Sequence, residues 1–432
     1  MGTINIGLVG AGTVGGGVVK VVGKRLGYFK NELGLDLKIT RIVDKAAVRF
    51  AELPVGDAVC SDNVDDILND DSIRIVIELV GGTGFARTLV LEALKRGKHV
   101  VTANKALIAE HGPQIFEAAA AAGVSLYFEA SVGGGMPVIK SIRESLAGND
   151  IYSLRTIING TCNYILTRMS QEGLPFADVL KLAQELGYAE ADPTLDVGGG
   201  DTGHKVAILA SLVSGGYVPY GSFSVEGITN IAKEDIEFAA ELGYVIKLLG
   251  IIRKSDAGLS VRVHPAMLPA GHILASVNNV FNAVLLEGDA VGQILIYGRG
   301  AGELPTASAV VSDIIDAVRD IAGNSPARVP MDYYYCADRK ISPVPIEQIN
   351  SRYYLRFMVS DNPGVLASIA NCLGAEGISI ASVMQKERAG ADGVPVIFIT
   401  HSAPESGIRK SIAKIENESY VRASTQIIRI ED

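Results

Sequence analysis

The chain is short of the features that mark secreted, metal-clustered or nucleic-acid-binding proteins. Its 432 residues include only four cysteines, Cys60, Cys162, Cys336 and Cys372. They lie far apart and match no metal-ligand spacing, so a reduced, cytoplasmic protein is expected. Charged residues are only 20% and the net charge is −9, with no basic block and no RNA-binding aromatic motif. That balance argues against a nucleic-acid surface. The first apolar run has no basic leader and feeds a glycine loop, so no signal peptide is read there. The longest uncharged stretch, 206–225, contains Gly215, Gly216, Pro219 and Gly221. It reads as a buried helix, a break and a strand, not a membrane span.

What is present is apolar and periodic. Hydrophobic residues make up 48%, enough for sizeable cores, and the length suggests about three domains. Residues 4–10, INIGLVG, form a short β-branched run of the kind found in buried parallel strands. Gly10, Gly12, Thr13, Val14 and Gly15 follow at once as G-x-G-x-x-G, and an apolar helical pattern comes next. Strand, glycine turn and helix in that order suit a dinucleotide: the backbone can approach a pyrophosphate, and the helix N-terminus attracts its charge. A second strand over 38–43 ends in Asp44, placed to accept hydrogen bonds from an adenosine ribose. Its charge repels a 2′-phosphate and favours NAD over NADP; against that, Asp44 lies further along than the usual spacing of about 20 residues, and Lys45 and Arg49 stand nearby as phosphate partners. Further strands over 73–80 and 99–103 end in Gly81-Gly82-Thr83 and Thr102-Ala103-Asn104-Lys105. Residues just past strand carboxyl ends line the ligand crevice of such sheets, which puts Gly82, Thr83 and Lys105 at the cofactor. A strand over 125–130 leads into Glu129-Ala-Ser-Val132-Gly-Gly134-Gly-Met136-Pro137, where a carboxylate and exposed carbonyls suit a hard cation or, equally, a hinge.

A second pattern begins after Asn149: a strand over 151–158, the loop Asn159-Gly-Thr161-Cys162-Asn163, and helices. Further strands are expected around 260–263 and 284–286. Gly302 and Pro305 open a helix running to about Ile321, expected to return to the nucleotide domain with Gly302 close to the cofactor. Residues 327–349 read as a linker. From Tyr353 the order strand, helix, strand, strand, helix, strand is the ferredoxin-like unit.

The most informative stretch is 183–205, AQELGYAEADPTLDVGGGDTGHK, with Glu190, Asp192, Asp196, Asp201 and Lys205 around three glycines. Asp201 can cap the helix that follows, and Asp201 and Lys205, four apart, then share one face. That arrangement can hold an amine or position a proton donor; a plain cap with an ion pair is the other reading. Two other classes fit parts of the chain. An acylating dehydrogenase needs a nucleophile, for which Cys162 is the candidate, and a histidine base such as His204, His264 or His272. A non-catalytic amino-acid sensor would keep the nucleotide shell and the C-terminal unit.

Taken together, GLVGAGTVG, VTANKALIA (101–109), EASVGGGMP (129–137), NGTCNYIL (159–166) and the signature from Ala183 to Lys205 resemble homoserine dehydrogenases of the bacterial form with a C-terminal ACT domain. The resemblance covers the whole chain. It implies an α/β protein: a Rossmann-type NAD(P)-binding domain over 1–137 completed by about 303–325, an α+β substrate and dimerisation domain over 138–302, a linker over 326–350, and a ferredoxin-like ACT domain over 351–432. It implies interconversion of L-homoserine and L-aspartate 4-semialdehyde with NAD or NADP. Lys205 then looks like the acid/base lysine, with Lys105 and Asp201 beside it. Glu190, Asp196, Asp201, Thr161 and Tyr188 form the implied substrate set. Glu129, Val132, Gly134 and Met136 match a sodium site. L-Threonine is the implied effector of the tail, and a homo-oligomer, dimer or tetramer, the implied assembly. Cys162 departs from the threonine often found there, while Thr161 is kept.

Overall fold

The computed structural model describes residues 2–323, 332–335, 337–385 and 393–431. Cys336 and part of the expected linker lie outside them. The chain divides into two compact units: Met1–Gly160 with Asp201–Ser222 and Val280–Ser342, and Thr161–Gly200 with Phe223–Asn279 and Pro343–Asp432.

The first unit is built on six strands: β1 (Ile4–Val9), β2 (Leu37–Val43), β3 (Val59–Ser61), β4 (Ile73–Glu78), β5 (His99–Thr102) and β6 (Leu126–Tyr127). They pair in the order β3-β2-β1-β4-β5-β6, all parallel. This is the doubly wound order whose reversal falls between β1 and β4, where such sheets bind ligands. Ile6, Leu8, Ile75, Ile77 and Val101 are fully buried, which is why the strands read as continuous apolar runs. The expected strand over 125–130 is shorter, since the chain bends into a 3₁₀ turn at Glu129–Ser131.

Helices α1 (Thr13–Asn31), α2 (Phe85–Lys95), α3 (Lys105–Ala122), α4 (Gly200–Ser214) and α5 (Glu303–Gly323) belong to this unit, α4 from Asp201 onward. On α5, Ala307, Val310 and Ile314 share a core with Val18 and Val22 of α1, and Lys20 pairs with Glu303 at 2.6 Å. A separate antiparallel ladder joins Ile151–Ile157 to Phe281–Gly288, and that strand to Gly292–Arg299.

The second unit is a mixed sheet. Tyr244–Ser255 and Gly258–Pro269 form a long antiparallel pair, much longer than the strand expected around 260–263. The C-terminal segment supplies Asn350–Val359, Ile380–Gln385, Val394–Thr400 and Val421–Ile430. Its own strands lie in the spatial order fourth, first, third, second, with helices Val365–Ala375 and Glu405–Glu416 between them in sequence. That is the ferredoxin-like arrangement. Val421–Ile430 also pairs in parallel with Gly258–Pro269, so the C-terminal sheet is continuous with its neighbours in this unit. No helix among the described residues is long and apolar enough to cross a membrane.

Candidate active site

The glycine loop sits where β1 turns into α1. A Cβ on Gly15 would stand 2.0 Å from the carbonyl oxygen of Gly10, so only glycine lets the helix start this close to the strand. Gly12 occupies the N-cap without a side-chain cap, and Thr13 and Val14 open the helix, leaving backbone amides for a phosphate. The residues therefore fit a dinucleotide. Asp44, at the end of β2, is tied to this loop: its carboxylate accepts from Ala11 N (2.7 Å) and Ala46 N (2.8 Å) and pairs with Arg49 Nη1 at 2.9 Å. Burial opposes its charge, but these amides and Arg49 hold its carboxyl below the usual range. The half-exposed Arg49 thus stands at the same end of the loop as the acidic residue.

The ends of β4 and β5 are locked together. Glu78, fully buried, accepts from Thr102 Oγ1 (2.6 Å) and from the amides of Val80 and Gly81. Asn104 caps α3 through Leu107 N and donates to the carbonyl of Gly82 at 2.7 Å. Gly82 and Thr83 are thereby held beside the start of α3, and Lys105 becomes its first residue.

Asp201 is where the charges converge. Lys205 Nζ donates to Asp201 Oδ2 (2.7 Å) and to the carbonyl of Ile158 (2.9 Å). Lys105 Nζ lies 3.2 Å from Asp201 Oδ1, and Asn159 Nδ2 donates to Oδ2 at 2.9 Å. Burial would push the Asp201 carboxyl up, but Lys205 and Lys105 hold it at about 2. The expected cap is corrected here: Asp201 lies inside the first turn of α4, and its oxygens face the two ammoniums and an amide. A capping residue would sit before the helix with its oxygen turned to backbone N–H groups; this carboxylate has been drawn to stronger, charged donors. Asn159 is a member that sequence reasoning passed over. It is 42 residues from Asp201, and nothing local marks the pairing.

Glu129, Val132, Gly134 and Met136 are buried together after β6. The Glu129 carboxylate accepts the amides of Ile139 (2.9 Å) and Lys140 (2.7 Å), and Asp313 on α5 accepts the Glu129 amide at 2.8 Å. Burial first and the Asp313 charge second raise Glu129 to about 8. Gly302, with φ of +127°, precedes α5. Among the described residues no group of three or more His, Cys, Asp or Glu side chains could hold a metal ion.

The other candidates lie in the second unit. Thr161 Oγ1 donates to the carbonyl of Tyr188 at 2.6 Å, and the Tyr188 ring is 5.0 Å from that of Tyr164. Tyr188 and Glu190 are exposed on the loop after helix Phe176–Glu185, and the Glu190 carbonyl accepts from Gln184. Asp196 lies on the short helix Thr194–Val197, and its carbonyl accepts from Cys162 Sγ at 3.2 Å. His264 is buried beside Arg262, and His272 caps the 3₁₀ turn Ile273–Ser276.

Residues 10–129 match the sequence model for "Homoserine dehydrogenase, NAD binding domain", and 137–315 match that for "Homoserine dehydrogenase". Homoserine dehydrogenase of Neisseria gonorrhoeae is 43% identical, covering 100% of this chain and 99% of the relative. That of Pseudomonas aeruginosa is 44% identical, with 100% and 99% covered. The crystal structure of a homoserine dehydrogenase from Thiobacillus denitrificans superposes with a TM-score of 0.94 at 43% identity, over 100% of this chain and 99% of that one.

Proposed function

The chain belongs to the homoserine dehydrogenase family of NAD(P)-dependent oxidoreductases, and we propose that it interconverts L-homoserine and L-aspartate 4-semialdehyde at the Lys105–Asp201–Lys205 cluster. The observation that carries this reading is one buried carboxylate shared by two lysines, at the mouth of α4. The dinucleotide, when bound at the glycine loop, supplies or accepts the hydride. What the chain itself supplies is charge and a proton. The Lys205 ammonium stabilises negative charge developing on the substrate oxygen and delivers its proton there. In oxidation the neutral amine removes that proton, so homoserine oxidation runs faster at alkaline pH. Asp201 aims Lys205 through one oxygen and Lys105 through the other, which fixes the direction of the proton donor. Glu190 and Asp201 are proposed for the substrate's α-ammonium, and Asp196, Thr161 and Tyr188 as further members of the substrate-binding set. A spectrophotometric assay with homoserine and either NAD+ or NADP+ tests the reading; no turnover with either would end it. Arg49 beside Asp44 supports acceptance of both cofactors, the guanidinium favouring the extra phosphate and the carboxylate the free ribose.

The C-terminal segment is proposed to be an ACT regulatory domain with threonine as its ligand. Gly364, at φ of +92°, caps helix Val365–Ala375, whose first amides suit an amino acid's carboxylate. Strand Ile380–Gln385 ends its sheet, which supports edge-to-edge pairing and a homo-oligomer, dimer or tetramer. A sodium ion is proposed at Glu129, Val132, Gly134 and Met136. There it would share oxygens already in use, since the Met136 carbonyl accepts from Val138 N; oxygens with a second lone pair permit this. A cytoplasmic enzyme agrees with the free thiols of Cys60, Cys162 and Cys372. Thermal melts with added threonine, and with sodium replaced by a large organic cation, test both ligands: added threonine should raise the melting temperature, the loss of sodium should lower it, and a flat response removes the ligand concerned.

A further inference from the structure

Two ionisable groups that the proposed reaction leaves unused stand beside the lysine cluster. His204, the residue before Lys205 on α4, is only 5% exposed. Its Nε2 lies 3.1 Å from Oε1 of Glu110 on α3, and its ring packs 4.0 Å from that of Tyr220, tilted by 39°. Its Nδ1 is buried with no hydrogen-bond partner among the described residues. The helices that carry the two lysines are therefore tied twice. Lys105 of α3 meets Asp201 of α4 at 3.2 Å, and further along both helices Glu110 meets His204 at 3.1 Å. A third contact follows α4, where Tyr217 donates from its hydroxyl to the carbonyl of Ala109 at 3.2 Å.

We propose that Glu110 and His204 are a positioning pair for the reaction: they fix α3 against α4 so that Lys105 stays on one oxygen of Asp201 while Lys205 keeps the other. The proposal rests on the reading of Lys105, Asp201 and Lys205 given above. A lysine is a point charge on a flexible stem, so a single 3.2 Å contact does not hold its helix in place. A second, ring-based contact a turn further on does. It also works in one protonation state. With the imidazole neutral, Nε2–H donates to Glu110 and Nδ1 is a bare acceptor. Protonation would put a hydrogen on the buried, unpartnered Nδ1 and bring a third positive charge to two ammoniums. The groups acting on the ring are Glu110 and Lys105 from α3 and Asp201 from its own helix; Tyr220 packs against it, and Tyr217 and Tyr220, from the segment after α4, both feel the Glu110 charge. Burial, opposed by Glu110, favours the neutral ring, and burial also keeps both phenols protonated.

The test compares His204→Leu, His204→Gln and Lys205→Ala in the full-length enzyme, following kcat for aspartate 4-semialdehyde reduction against pH, the direction in which Lys205 acts as the ammonium and adds no acid limb of its own, with melting temperatures in parallel. His204→Leu should lower kcat on the order of 10- to 100-fold, the range expected when a catalytic group is displaced by about an ångström. His204→Gln keeps an N–H donor for Glu110 and cannot titrate, so it should restore most of the rate and lose the acid limb that the imidazole gives the wild type. Wild-type kcat in His204→Leu overturns the proposal. So does a His204→Gln enzyme as slow as the leucine variant, or one with an unchanged acid limb; the ring's packing on Tyr220 would then be its whole role. Should the leucine variant not fold, the glutamine variant still carries the pH test. Lys205→Ala separates the two readings. Near-normal turnover in it removes the lysine cluster as the site, whereas an inactive Lys205→Ala beside an unaffected His204→Leu removes only the positioning pair.

Discussion

Two buried ion clusters, one in each unit, use similar ingredients to different ends. Around Asp201, one carboxylate serves two lysines, and Lys105 keeps a third of its side chain exposed. Around Arg429, one guanidinium serves two carboxylates and is almost sealed, with 2% of its side chain exposed. Its nitrogens reach Glu405 at 2.6 and 2.9 Å and Glu226 at 2.9 and 3.0 Å, while Tyr353 donates to Glu405 at 3.0 Å. The second cluster is bound at all three guanidinium nitrogens, and its cation does not give up a proton at any working pH. It can only hold the C-terminal strand, helix Glu405–Glu416 and Glu226 together. The first is over-supplied with cations that can each release a proton, and one of them is partly open. A chain that wants a clamp uses arginine; one that wants a proton leaves lysines sharing a carboxylate.

That contrast fails first, and most visibly, if Lys205 is dispensable. Lys205→Ala should lower kcat by roughly 10²–10⁴-fold, the usual worth of a positioned proton donor, with a smaller fall in melting temperature than Arg429→Met, because Lys105 and Asn159 stay on Asp201. Normal kcat with a lowered melting temperature would make the lysine cluster structural after all. Arg429→Met should do the reverse. It strands Glu405, 1% exposed, without its main cation, and breaking a buried pair from one side costs about 3–5 kcal/mol. Urea unfolding should show that loss while kcat of the folded fraction stays within a few-fold of wild type. A stable Arg429→Met protein would mean that Arg409, 2.8 Å from Glu405, already carries the load.

Much of this was legible in the residues, for stated reasons. The parallel sheet announces itself because strands buried on both faces are unbroken apolar runs, and the glycine loop marks their start. The C-terminal order of strands and helices is equally plain. Tyr244–Ser255 was not legible: it is buried through its middle on both faces and carries Lys247 there, bonded to the carbonyl of Val277 and the side chains of Asn163 and Asn278. A strand with neither alternation nor a clean apolar run leaves no period to read. The helical pattern of α3 is interrupted at Gly112 and Pro113; Gly112 is there because a Cβ would stand 2.5 Å from the Tyr335 ring. At the site, Asp201 and Lys205 could be paired from their spacing of four. Glu110 and His204 could not, because 94 residues separate them and each alone is an ordinary surface-type residue.

The smallest expected effect sharpens the comparison by pH. Asp201 is held at about 2, below its ordinary 3.8, so its share of stability is present above that ordinary value and disappears only as pH falls towards 2. Glu129 and Asp313 run the other way. Burial raises them to about 8 and about 7 from 4.5 and 3.8. The folded chain therefore keeps protons that the unfolded chain releases, and stability declines as pH climbs from the ordinary carboxylate range towards 8. A Glu129→Gln variant removes one of the two proton sites, so its melting temperature should fall less steeply over that interval than the wild type's, even if its absolute stability is lower through loss of one amide acceptor. Sodium adds a second handle. A cation held at Glu129 favours the ionised carboxylate and should flatten the wild-type slope, leaving the variant unmoved. A wild-type profile already flat without sodium would mean that Lys140, 3.5 Å from Asp313, neutralises this buried pair as fully as the two lysines neutralise Asp201.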